Sequence, residues 1–170
     1  MDQNKITSKE YFKGIKIIHL ALAIGQAFFL LVAFGLVQTG NYEIAFQDSS
    51  NIFNYLVVIF GLLGISSSFL IFKNRLNSCK EKTNLIDKME CYRSSLLIRY
   101  ALLQAPSFFA IVFYLLTGTI LYLAIPVIII VIFILIRPTH QKAEIDLELN
   151  STEVQMINNP DALISIIEKH

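Results

Sequence analysis

Charge is scarce in this chain. Of its 170 residues only 16% are Asp, Glu, Lys or Arg, while 55% are hydrophobic and the mean hydropathy is +0.59. A soluble helical protein of this size spreads its Leu, Ile and Phe at helical spacing and keeps polar residues on the outer face of every turn. Here the apolar residues stand in long blocks, which excludes that class and points to a membrane protein. The net charge of +1 leaves no global basic field for nucleic acid.

Cysteine is scarcer still. Cys79 and Cys91 lie twelve apart with no close Cys or His partner, whereas a zinc site needs four ligands. No metal is expected, and both cysteines are expected as free thiols because their segment reads as cytoplasmic. Tryptophan is absent, and the Ile, Lys, Asn and Phe bias suits an AT-rich bacterial genome. The sequence carries no Gly-rich phosphate loop, no Ser–His pair at motif spacing and no carboxylate cluster. A haem held by two histidines would need a membrane partner for His19, but His140 lies past the last block and His170 is terminal. A small multidrug-type transporter would carry a carboxylate in its first helix, and none is present. The expectation is a protein that is not an enzyme and holds no cofactor.

Four apolar blocks are what the chain does have: residues 17–37, 52–72, 96–116 and 120–136, with Arg99 their one charged residue. Twenty-one residues at a rise of about 1.5 Å reach across a hydrocarbon core of about 30 Å. Continuous apolar character, with no period of two, excludes a β-barrel. Lys5, Lys9, Lys13 and Lys16 followed by Ala21-Leu22-Ala23 look like the start of a signal peptide, but the apolar run continues to Val37, so the first block is expected to stay as an anchor. Asn84 with Asp87 marks a helix start, from which Leu85, Met89, Tyr92, Leu96 and Leu103 recur at helical spacing into the third block. Pro106 should bend that helix, and Pro126 interrupts the fourth block.

All fourteen Lys and Arg residues fall in the N-terminal segment, in residues 73–99 or after the fourth block. The connections 39–51, with Glu43 and Asp48, and 117–119 have none. Basic residues near membrane ends stay cytoplasmic. The fold class expected is therefore an all-α four-helix transmembrane bundle in the plasma (inner) membrane. Both termini are cytoplasmic, a cytoplasmic hairpin joins spans two and three, and residues 138–170 form a cytoplasmic tail. In that tail the alternation of Glu144, Asp146 and Glu148 with Ile145, Leu147 and Leu149 fits a short strand, with a helix as the alternative. Asn159-Pro160-Asp161 predicts a helix start, giving Ala162, Leu163, Ile166 and Ile167 one apolar face.

Polar residues inside a bilayer are costly and are the first functional suspects. His19 and Gln26 share a face of the first helix, and Gln104 lies mid-span beside Pro106. They either line a path for a ligand, quinone or proton or tie helices together. Arg99, one turn into the third block, either anchors a lipid phosphate or pairs with an anionic ligand, Glu90 or Asp87. Gly61, Gly64 and Ser68 on the second helix, and Ala21 and Gly25 on the first, have the small-residue spacing of a close helix contact. The fourth helix has no polar group or small-residue seam and is expected to face lipid or an apolar partner.

Lys13-Gly14-Ile15-Lys16-Ile17-Ile18-His19 entering the first span, and Arg137-Pro138-Thr139 leaving the last, resemble small uncharacterised four-helix membrane proteins of bacteria. The resemblance implies the layout and no activity. The leading expectation is a structural or accessory subunit acting on a protein partner through its cytoplasmic hairpin and tail. A homo-oligomeric transporter or channel lined by His19, Gln26 and Gln104 is the second. A lipid-binding module or enzyme centred on Arg99 is the third.

Overall fold

The computed structural model describes residues 3–40, 44–46 and 51–168, with side chains for 5–40, 44–46 and 52–165. Glu43, Asp48 and His170 lie outside the described residues. In chain order the elements are β1 (Gln3–Thr7), α1 (Ser8–Gln38), α2 (Asn51–Lys80), α3 (Leu85–Thr117), a 3-10 turn (Ile120–Leu123), α4 (Ala124–Leu135), α5 (His140–Leu147), α6 (Ser151–Asn158) and β2 (Leu163–Glu168).

Three helices, α1, α2 and α3, are long and apolar enough to cross a membrane. A fourth candidate exists only if Ile120–Leu135 and His140–Leu147, bent by 88° at the break between them, are taken together as one span. The long helices expose Leu20, Ile24 and Phe28 on α1 and Ile52, Leu62 and Leu70 on α2. Such apolar surface is unfavourable in water and at home in lipid. The chain is therefore a predominantly helical membrane protein with three to four candidate spans.

Local chemistry sets the helix ends. Thr7 and Glu10 form a capping box at the start of α1, with Thr7 N donating to Glu10 Oε2 at 3.1 Å and Glu10 N to Thr7 Oγ1 at 3.4 Å. Asn84 opens α3 by accepting from Asp87 N at 2.8 Å, as its spacing predicts. Gly118, at φ +69°, closes α3, its N–H donating to Tyr114 O at 2.8 Å. Pro126 falls in the first turn of α4, where its missing N–H costs no helical bond, so it starts that helix and does not interrupt it.

Two expectations for the tail are corrected. The alternating segment 144–149 is mostly helix: Thr139 caps α5 by accepting from Lys142 N at 3.2 Å, and a left-handed Glu148 ends it. The Asn159-Pro160-Asp161 segment opens no helix. Asn159 Oδ1 accepts from Asp161 N at 3.2 Å, a tight turn that releases the chain into β2. The β-branched isoleucines there pair antiparallel with β1, Lys5 opposite Ile166 and Ile6 opposite Ser165. The all-α expectation therefore needs one two-stranded sheet added.

The chain divides into two compact units. The polar unit comprises Met1–His19, Leu70–Arg99 and Arg137–His170 and contains all fourteen lysines and arginines. The apolar unit comprises Leu20–Phe69 and Tyr100–Ile136. Its core gathers Ala33, Val57, Ala110, Ile111, Tyr114 and Tyr122, so α1, α2, α3 and the 3-10 turn all contribute. Here α2 and α3 approach closely: a Cβ on Gly64 would stand 2.6 Å from Pro106 Cγ and 3.2 Å from Leu102 O, the carbonyl whose helical donor Pro106 removes. Gly61 abuts Ile125 of α4 in the same way, at 2.8 Å. α4 accordingly buries Pro126, Ile129 and Phe133 within the protein, and its exposed side is Val127, Ile128, Val131, Ile134 and Leu135.

Candidate functional site

In the apolar unit the two glutamines reach backbone carbonyls on other helices. Gln26 Nε2 of α1 donates to Pro126 O of α4 at 3.0 Å, and Gln104 Nε2 of α3 donates to Leu22 O of α1 at 3.1 Å. Each such bond is worth about 0.6 kcal/mol in a membrane. Gln26 Oε1, Gln104 Oε1, Ser107 Oγ and Tyr114 OH are buried with no hydrogen-bond partner among the described residues. Ser68 Oγ bonds back to Ile65 O at 2.8 Å. Ala21 and Gly25 are exposed and a Cβ on Gly25 would meet nothing within 4 Å, so within the chain this pair does not receive α2 as its spacing suggests. Gly64 instead meets α3, because Pro106 presents a flat ring where a helix would otherwise present a side chain.

His19 and Arg99 belong to the polar unit. His19 is buried, and Arg99 lies over the Phe72 ring, 4.5 Å from its centroid. That stacking covers the guanidinium face with an aromatic ring. The four suspects thus divide by unit, Gln26 and Gln104 in the apolar one and His19 and Arg99 in the polar one.

The polar unit is braced more heavily than the sequence suggests. Cys79 and Cys91 form a disulfide, with Cα atoms 5.4 Å apart, which overturns the expectation of free thiols. The α2–α3 turn brings the last turn of α2 beside the second turn of α3, and compartment arguments alone missed that proximity. Arg75 donates to Ser95 Oγ at 3.3 Å and to Ser94 Oγ at 3.1 Å across the same hairpin. The tail docks through Lys88–Glu153 at 2.8 Å, which is largely buried, and Lys80–Glu148 at 2.6 Å, which is more exposed. The first turn of α1 joins the tail as well: Ser8 N donates to Ala162 O at 2.8 Å, and Ser8 Oγ donates to Ile157 O.

Two carboxylates of the tail are perturbed in opposite directions. Burial raises Asp146 above the ordinary carboxylate range, although the Tyr92 hydroxyl donates to its Oδ2 at 3.1 Å and Arg99, Lys142 and Lys80 pull it down. Burial also acts to raise Glu153, but the Lys88 ammonium and the Asn150 N–H outweigh it and hold the group below that range.

Several of these polar residues escaped the sequence-based set. Asn54 accepts from Tyr122 OH at 2.7 Å, tying α2 to the 3-10 turn. Asn54 was legible as a polar residue inside the second block; the burial of Ser107 and Tyr114 depends on which face α3 turns inward. No group of three or more His, Cys, Asp or Glu able to hold a metal occurs among the described residues. Comparison with family models, with curated proteins and with solved structures finds no match for this chain.

Proposed function

We propose that this chain is a non-enzymatic subunit of the plasma membrane, crossing it four times with both termini cytoplasmic and offering its folded polar unit to a protein partner. Pairing of β1 with β2 supports an even number of crossings, because strands from the two ends of the chain must lie on one side of the membrane. With α1, α2 and α3 as spans, the Ile120–Leu135 stretch then makes the fourth. The confinement of every Lys and Arg to the polar unit supports a cytoplasmic position for it. A cytoplasmic position requires the Cys79–Cys91 bond to resist reducing thiols, and the full burial of Cys79 shields one of its two ends.

One observation carries the functional reading: the chain's three charged segments assemble into one cross-braced unit, which leaves Ile145 of α5 73% exposed between Glu144 and Asp146. We assign this exposed isoleucine to the contact with the partner. Replacing Ile145 by Asp should remove the proteins that co-purify with the chain and leave membrane insertion and thermal stability unchanged. Co-purification unaltered by Ile145→Asp contradicts the reading.

The buried Gln26 and Gln104 oxygens favour a second reading, a homo-oligomeric transporter or channel whose path includes them. It requires a defined oligomer in detergent and loss of flux in a Gln26→Leu, Gln104→Leu variant. A monomer without flux removes it.

A further inference from the structure

Lys9, Lys13 and Lys16 occupy successive turns on one face of α1. They line a groove of about 590 Å³ together with Phe12, Ile17 and His140. Asn158 and Pro160 complete it. A volume of this size is that of a small-molecule pocket. Among the described residues no Asp or Glu lines the groove and none of the three lysines makes a salt bridge. Glu10, the acid nearest in sequence, is taken up by the Thr7 backbone and hydroxyl.

The groove is built. His140 stacks on Phe12 with ring centroids 3.9 Å apart, and its Nδ1 lies 3.4 Å from Asn158 Oδ1. Lys9 N donates to Pro160 O at 3.2 Å, fixing the tail against the first turns of α1. Like charges at this helical spacing repel, and a bound anion relieves the repulsion. Lysine ammonium groups bind phosphate as point charges. The face then changes character: after Lys16 it continues through Ile17, Leu20, Ile24, Phe28 and Leu31, every one more than half exposed. Cations followed on the same helix face by an acyl-length apolar stripe match the two ends of a phospholipid.

We propose that this groove is the headgroup site of an anionic phospholipid, with its phosphate on Lys9, Lys13 and Lys16 and its acyl chain running along α1 from Ile17. The site rests on the membrane reading and is independent of any protein partner. It differs from the lipid contact expected at Arg99, whose guanidinium is stacked on Phe72.

The test uses the full chain in phosphatidylcholine nanodiscs containing phosphatidylglycerol as the minor lipid, with retained lipid measured by native mass spectrometry. The wild type should retain phosphatidylglycerol selectively. Lys9→Gln with Lys13→Gln should weaken retention about thirtyfold, each lysine being worth about fivefold at an anionic surface. Lys73→Gln with Lys82→Gln removes equal charge outside the groove and should change retention less than about twofold. Soluble glycerol 3-phosphate should not displace the lipid. A photoreactive phosphatidylglycerol on the wild type should label peptides containing residues 9–17 or 138–160, a readout independent of variant folding. Equal loss in both double variants, displacement by glycerol 3-phosphate, or labelling elsewhere overturns the proposal.

Discussion

Gln26 and Gln104 illustrate how a single polar side chain serves in lipid. Each spends its amide N–H on a carbonyl of another helix and keeps its oxygen buried beside no described partner. Gly64 is the apolar counterpart: it admits the Pro106 ring where a larger residue would collide. Gly64→Leu should therefore cost at least about 2 kcal/mol through overpacking. Gly25→Leu, on an open face, should stay within about 0.5 kcal/mol. Thermal unfolding of the two variants in detergent compares them directly. The carboxylates give a pH test with opposite signs. Glu153, lowered in the fold, stabilises fully above its unfolded value of about 4.3, and that contribution is lost as pH falls through the folded value. Asp146, raised in the fold, contributes stability below its unfolded value of about 3.9 and loses it as pH rises through the folded value. Asp146→Asn, which keeps an acceptor for Tyr92, should thus melt higher than wild type at pH 7, with the difference closing toward about pH 4.

Helices were readable where one local signal dominated. Asn84 announced α3, and uncharged length announced α1 and α2, because capping and hydropathy act within a few residues. The tail departs from its local signals because its conformation is decided at long range. Ile164 and Ile166 suit either a helix face or a strand, and pairing with β1, more than 150 residues earlier in the chain, selects the strand. The Cys79–Cys91 bond was invisible for a related reason: a spacing of twelve signals nothing until the α2–α3 turn folds the two positions together. Closing a loop of that length contributes about 3 kcal/mol. Cys91→Ser should lower the stability of the hairpin by about 2–3 kcal/mol, read as faster amide exchange between residues 76 and 92.

The separation of charge from apolarity governs the whole molecule. One compact unit holds every lysine and arginine, the other holds none, and the sequence blocks foreshadow the division almost residue for residue. The candidate polar residues are legible one by one as polar groups in apolar blocks, but the carbonyls and rings they reach are not, since these depend on the rotation of each helix about its axis. With three candidate spans in α1, α2 and α3, the Ile120–Leu135 stretch is the element on which the crossing number turns. The most direct test is the accessibility of single cysteines in a Cys79→Ser, Cys91→Ser background, labelled in intact cells by a membrane-impermeant maleimide. A cysteine replacing Thr119 should label from outside, while cysteines replacing Lys82 in the α2–α3 turn and Gln155 in α6 should label only after the membrane is opened. External labelling at position 82, or labelling of 82 and 155 from opposite sides, contradicts four crossings with the polar unit inside.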